Sequence, residues 1–196
     1  YDEVSGQLAS IRHSAGVDTA YTYDGFLVTG ERLDGVRSTP VNLTRTFDVN
    51  FALASESIDG ASAVTFARDP DGLLTAAGEL CLTRSLENGL LTGTTLGRVI
   101  DSHDYSAFAD ETSYVARVDS SEVFRVDVPT DALDPGRDRA GRILRRVETI
   151  GGETTTWRYT YDAAGRLRDV TRNGEFWSHY EYDANGNRVL ASVTWP

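Results

Sequence analysis

A motif that returns every 21 to 24 residues constrains this chain more than any other feature of it. Tyr159-Thr160-Tyr161-Asp162-Ala163-Ala164-Gly165-Arg166-Leu167 is echoed by Tyr180-Glu181-Tyr182-Asp183-Ala184-Asn185-Gly186-Asn187-Arg188-Val189. Arg137-Asp138-Arg139-Ala140-Gly141-Arg142-Ile143 keeps the second half, and Phe66-Ala67-Arg68-Asp69-Pro70-Asp71-Gly72-Leu73-Leu74 is a fourth copy. Thr46-Phe47-Asp48, Tyr21-Thr22-Tyr23-Asp24 and Tyr1-Asp2-Glu3-Val4-Ser5-Gly6-Gln7-Leu8 are looser ones. The aspartates at 2, 24, 48 and 69 lie 22, 24 and 21 apart, and those at 138, 162 and 183 lie 24 and 21 apart. An internal repeat of this length decides the fold class before local propensity does.

A second signal sits between the aspartates. Asp34-Gly35, Asp59-Gly60, Gly151-Gly152 and Asn173-Gly174 follow Asp24, Asp48, Asp138 and Asp162 by 10, 11, 13 and 11 residues, and Ala15-Gly16 fills the place after Asp2. Such dipeptides supply the positive φ of two-residue type I′ hairpin turns. Each unit therefore reads as strand, Tyr-Asp-x-x-Gly turn, strand, Asx-Gly turn. The chain is predicted to be all-β, an antiparallel meander of about sixteen strands with under about a tenth helix, against the usual third.

The motif chemistry agrees. Tyr159 and Tyr161 are two residues apart and share one face of a strand. Asp162 and Asp183 are placed to accept backbone N–H bonds inside their turns. Gly165 can adopt the positive φ that a side chain would penalise. Leu167 and Val170 are three apart, as are Leu8 and Ile11, so strict alternation fails and a bulge is expected at each. The middle is less regular: Tyr105-Ser106-Ala107-Phe108-Ala109 keeps the spacing with Ser for Asp and Ala for Gly. Residues 129–137, with two prolines, read as an irregular insertion inside one array over residues 1–196.

Strand alternation makes the two faces unequal. Tyr159, Tyr161, Tyr180 and Tyr182 lie on one side, and Arg158, Thr160, His179 and Glu181 on the other. With no amphipathic helix to cover the aromatic side, the sheet is expected to curl, its first and last strands left as open edges.

Composition narrows the partners. The formal net charge is −11, and every basic residue is arginine. Residues 1–135 hold 9 arginines and 22 acids, while residues 136–196 hold 10 and 8, with no polybasic run in either part. This field disfavours nucleic acid and anionic membranes. Cys81 is alone, so no intrachain disulfide framework exists. No apolar run approaches the roughly 20 residues of a membrane-crossing helix. The chain holds no methionine and opens on Tyr1-Asp2 within a repeat, so it is expected to be an internal fragment of a larger protein. The arginine bias hints at a bacterial source.

Tyr159 to Leu167 and Tyr180 to Val189 resemble the YD motif of the RHS family. Arg68-Asp69-Pro70-Asp71-Gly72-Leu73-Leu74-Thr75-Ala76-Ala77-Gly78, then Asn88 to Gly97 and Tyr105 to Phe108, resembles the degenerate RHS repeats of bacterial members. The resemblance is weakest at residues 110–137. It implies a β-sheet strip that spirals into a hollow shell. In bacterial RHS polymorphic toxins and insecticidal toxin complexes such a shell encloses a C-terminal toxic polypeptide, and teneurins use a similar one in extracellular adhesion. This chain holds about eight or nine units, where a closed cage needs several times more strands, and it shows no C-terminal RHS core segment.

The sharper chemical readings fare poorly. Asp69-Pro70-Asp71-Gly72-Leu73 resembles the Asp-Pro-x-Gly-Leu motif linked in the family to aspartyl self-cleavage, but Phe66 and Arg68 place it in register as an ordinary turn. His13, His103 and His179 have no metal-ligand spacing. Ser102-His103-Asp104 is contiguous, and neighbours in a strand point to opposite faces, so no triad is expected. Trp157, Trp177 and Trp195 could stack sugars, but cross-strand packing explains aromatics in a sheet better. Asn42-Leu43-Thr44 is a glycosylation sequon of little weight in a bacterial protein.

The expectation is thus a non-enzymatic segment of a secreted or cell-surface shell, with no catalytic, cofactor-binding or metal-binding residue. Its expected partners are adjacent repeats of the parent chain and an encapsulated C-terminal toxin. The alternative is an extracellular adhesion module that binds glycans or protein.

Overall fold

The computed structural model describes all residues except Ala15, Ser62 and residues 194–196. The Ala15-Gly16 turn reading and Trp195 therefore fall at least partly outside the described residues. Among those described there are seventeen strands and no helix. The contacts divide the chain into two compact units, Tyr1–Leu82 and Thr83–Pro196.

The first unit contains β1 (Ser10–Arg12), β2 (Asp18–Asp24), β3 (Leu27–Asp34), β4 (Val41–Phe47), β5 (Leu53–Ile58), β6 (Val64–Arg68), β7 (Leu74–Ala77) and β8 (Leu80–Arg84), in which it ends. Each strand pairs antiparallel with the next. The second contains β9 (Leu91–Leu96), β10 (Val99–Tyr105), β11 (Glu111–Val118), β12 (Ser121–Asp127), β13 (Arg145–Ile150), β14 (Glu153–Tyr161), β15 (Leu167–Arg172), β16 (Glu175–Tyr182) and β17 (Arg188–Val193), again paired in sequence order. In each unit this meander creates two rims, one of Tyr-Asp-type turns and one of the intervening connections.

The predicted hairpin tips are largely present. Asn173 and Gly174 form a two-residue connection with φ of +53° and +87°, and Gly151 and Gly152 another with +57° and +89°. Asp59 and Gly60, at +52° and +67°, begin the connection from β5 to β6. Asp34-Gly35 differs: β3 runs through Asp34, and a wide loop over residues 35–40 leads to β4. There Gly35 presses against the neighbouring connection, where a Cβ would collide with the Gly16 carbonyl oxygen.

Bulges recur just after the Tyr-Asp turns. Thr160 pairs with Asp169 and Tyr161 with Leu167, which leaves Arg168 as the extra residue and bears out the bulge expected between Leu167 and Val170. The same offset follows the turns at Asp24, Asp48, Asp69, Ser106 and Asp183. At Leu8–Ile11 the strand starts only at Ser10, and its three residues pair with β2 without a shift.

Little of this chain is interior. Among the described residues, the buried hydrophobic ones are Val115, Val128 and Val170, all in the second unit. No described residue of the first unit is fully buried. The accessible surface is 13307 Å². A compact monomer of this mass would expose roughly 9,100 Å². Single-layer hairpin packing accounts for the excess: hydrogen-bonded ladders and cross-strand pairs hold the strands in place of a core. Arg45, for example, donates to Glu31 at 2.6 Å and to Glu56 at 2.9 Å, which are carboxylates of the strands on either side.

Candidate functional site

The repeated Tyr-Asp turns are the structural centre of the molecule. At Asp162, one carboxylate oxygen accepts the backbone N–H groups of Ala164 and Arg166 at 3.0 and 2.9 Å. The N–H of Gly165 donates to the Asp162 carbonyl at 2.9 Å, and Gly165 sits at φ +81°. The N–H of Arg166 does most to hold the Asp162 carboxyl below its ordinary range, helped by the Arg166 guanidinium and the N–H of Ala164. Asp183 and Asp138 repeat the arrangement with Asn185 and Asn187, and with Ala140 and Arg142. In the irregular middle, Ser106 Oγ accepts the N–H groups of Phe108 and Asp110, and Ala109 takes the glycine position at φ +63°. Ser for Asp and Ala for Gly is thus the same turn, as the spacing predicted.

At six turns the residue immediately before the turn stitches the hairpin to the preceding one, whereas Phe47, before Asp48, carries no donor. The hydroxyls of Tyr23, Tyr105, Tyr161 and Tyr182 donate to the carbonyls of Leu8, Leu91, Ile143 and Leu167 at 2.7–2.8 Å. Each acceptor leaves the preceding turn. Where the position holds arginine, the guanidinium takes over: Arg68 reaches the Leu53 carbonyl at 3.2 Å and Arg137 the Glu111 carbonyl at 3.1 Å. Residues 129–136 are irregular, yet Arg137 already occupies the motif position. Sequence reasoning missed the role of both arginines, although each directly precedes an in-register aspartate.

A second link runs through arginine. Arg142 pairs with Asp138 at 2.6 Å and lies 4.8 Å over the ring of Tyr161 in the next repeat. Arg166 pairs with Asp162 at 2.7 Å and lies 4.6 Å over the ring of Tyr182. Gly165 also makes room for this packing, because a Cβ there would lie 3.0 Å from the Arg142 guanidinium.

The faces are unequal, as expected. Tyr159 stands opposite Val170, which stands opposite Ser178, and Val170 and Ser178 are buried. Trp157 and Trp177 meet edge to face at 5.6 Å, with Arg172 within 5.8 Å of both rings. The bulge between Val170 and Thr171 brings Trp177 to the side of Trp157. On the opposite face, Asp169 accepts bonds from Thr160 at 2.8 Å and Arg168 at 2.7 Å and contacts His179 Nδ1 at 2.7 Å. His179 is held above its ordinary pKa, first by Asp169 and then by Glu181.

The suspected catalytic groups do not converge. His103 contacts Glu111 at 2.5 Å and packs on Tyr114 at 4.9 Å, while Ser102 faces Arg117. The Asp69 carboxylate accepts the N–H groups of Asp71 and Leu73 within its own turn. Among the described residues, no group of three His, Cys, Asp or Glu side chains is arranged to hold a metal ion. No described helix is long and apolar enough to cross a membrane, which leaves strands undecided. Cys81 is an exposed free thiol.

Comparison with solved structures finds the same fold. A chain in the crystal structure of TcdB2–TccC3–Cdc42 superposes with a TM-score of 0.54 over 91% of this chain at 11% identity. A chain of TcdB2–TccC3–TEV covers 93% of this chain at 14% identity, with a TM-score of 0.46. A chain of the Photorhabdus luminescens Tc holotoxin pore, bearing a TccC3 mutation, covers 90% at 11% identity, with a TM-score of 0.41. The present chain spans only 12%, 9% and 13% of these chains. Comparison with curated protein sequences yields no match. The family model for the teneurin YD-shell matches residues 1–194, so this chain belongs to the teneurin YD-shell family.

Proposed function

We propose that this chain is a stretch of wall in a larger hollow YD-shell, that its two units form one repeat array, and that the shell encapsulates a C-terminal toxin or effector polypeptide for export and delivery. The observation that carries this reading is the thin sheet, with three buried hydrophobic residues among those described and repeats stitched by tyrosine and arginine. Such a strip has a use only as part of a larger surface. The family match supports a structural shell role. Encapsulation rests on the RHS resemblance, and so does placement in a secreted or surface-exposed bacterial protein. The glycan-binding alternative has weaker support, because Trp157 and Trp177 are engaged with each other and with Arg172.

Protease protection tests the proposal. The parent protein, carrying this segment intact, is digested and its C-terminal polypeptide followed by mass spectrometry. Encapsulation predicts survival of that polypeptide until the shell is denatured. Rapid cleavage of it in the native protein would contradict encapsulation.

A further inference from the structure

The Tyr-Asp rim of the first unit carries bulky apolar side chains at the tips of its turns. Val4 is 98% exposed, Phe26 73%, Val49 92% and Phe51 62%. They belong to three turns, at Asp2, Asp24 and Asp48, which the meander places along one rim. Phe26 and Phe51, from neighbouring turns, meet at 5.6 Å between ring centroids and remain mostly in solvent.

Phe51 is the most telling of them. It sits at φ +63°, in the motif position where other repeats place Gly72, Gly141, Gly165 and Gly186 at +79° to +86°. A bulky side chain is penalised in that conformation, and strain of this kind concentrates at functional sites. Exposure and backbone strain both act against Phe51 in the isolated chain. The fold would be served at least as well by glycine.

The turns of the same rim are acidic, with Arg68, which reaches the Leu53 carbonyl, as the cation beside them. Residues 1–6, 24–27, 48–52 and 69–73 contain six acidic residues and no arginine. The carboxylates of Asp48 and Asp69 accept backbone N–H bonds within their own turns.

We propose that the Tyr-Asp rim of residues 1–73 is a docking surface for a cationic protein segment with apolar side chains that seat against Val4, Phe26, Val49 and Phe51. Charge complementarity chooses this occupant, since the acidic turns repel anionic membranes and other acidic surfaces. Exposed apolar groups in a row mark such contacts. The proposal does not depend on encapsulation of a cargo.

The test uses the full chain and labelled synthetic peptides, with binding followed by fluorescence anisotropy. An alternating arginine–leucine peptide should bind at least tenfold more tightly than arginine–serine or glutamate–leucine peptides, and more weakly as salt rises. The combined variant Val4→Ser, Phe26→Ser, Val49→Ser, Phe51→Asn should lose at least tenfold in affinity with unchanged or higher Tm, because asparagine tolerates positive φ. Phe51→Asn alone provides a second, minimally perturbed variant with a smaller loss. Equal binding by wild type and the combined variant would overturn the proposal. So would preference for the acidic peptide, or binding to anionic vesicles that the variant abolishes. If the variant instead only dissolves a self-association of the chain, the occupant is a second copy and the cationic partner is wrong.

Discussion

The hydroxyl of Tyr182 donates to the carbonyl of Leu167 at 2.8 Å, across two neighbouring repeats. Tyr161 makes the same bond to Ile143 one repeat earlier, at 2.7 Å. A side chain that reaches the backbone of the preceding repeat couples neighbours directly, as repeat proteins without a shared core require. Tyr182→Phe should therefore lower stability by about 1 kcal/mol, the usual net worth of such a bond. Urea denaturation checks it, with Tyr180→Phe as the comparison. No loss on Tyr182→Phe would show that the bond is incidental.

Arginine is expected to do the same work where it replaces tyrosine. Arg68→Tyr should leave stability within about 0.5 kcal/mol of wild type, whereas Arg68→Ala should cost about 1 kcal/mol by removing the donor to Leu53. Equal effects of the two substitutions in thermal melts would refute the equivalence.

The turn aspartates predict an acid limb of instability. Asp162 is held below its ordinary value chiefly by the Arg166 N–H, and Asp2 by the N–H of Ser5. A depressed folded pKa contributes stability that is present above the unfolded value near pH 4 and is lost as pH falls through the folded value. Melting temperature should thus fall steeply below about pH 4. Asp162→Ala should lower Tm at neutral pH by about 2–4 °C and flatten that acid limb, while Asp162→Asn, which keeps the acceptor oxygen, should recover part of the loss. A Tm unaffected by Asp162→Ala would remove the turn from the account.

His179 predicts the opposite slope. Its pKa is raised, first by Asp169, so its contribution is full below the unfolded value near pH 6.5 and is lost as pH rises through the folded value. An NMR titration should place the His179 midpoint above that of an exposed histidine, and Asp169→Asn should bring it down. A midpoint unmoved by Asp169→Asn would contradict the hydrogen-bonded pair.

Much of this architecture was legible because the repeat carries its turn chemistry in side chains. Asp162, Gly165, Asn173 and Gly174 declare positive φ and backbone acceptors by residue type, and even Ser106 and Ala109 were readable from spacing. Arg68 and Arg137 were missed because the signal is positional: the slot before the turn takes a long donor in most repeats, and arginine does not look like tyrosine. Asp34-Gly35 misled because its dipeptide fits a tight turn, while the adjacent connection at Gly16 forces a wider loop. The stacking of Arg142 and Arg166 on the next repeat's tyrosines is a contact between repeats, which no single motif displays. Phe51 at positive φ contradicts local propensity outright.

Small-angle X-ray scattering of the chain, with mass from light scattering, tests the central claim that this is shell wall without a core of its own. A compact domain of this length would have a radius of gyration of about 16 Å. The account predicts a clearly larger value for the monomer, or concentration-dependent association through the outer edge of β17, whose Val189, Leu190 and Val193 are exposed. A stable monomer at about 16 Å, with the scattering profile of a filled globule, would contradict it.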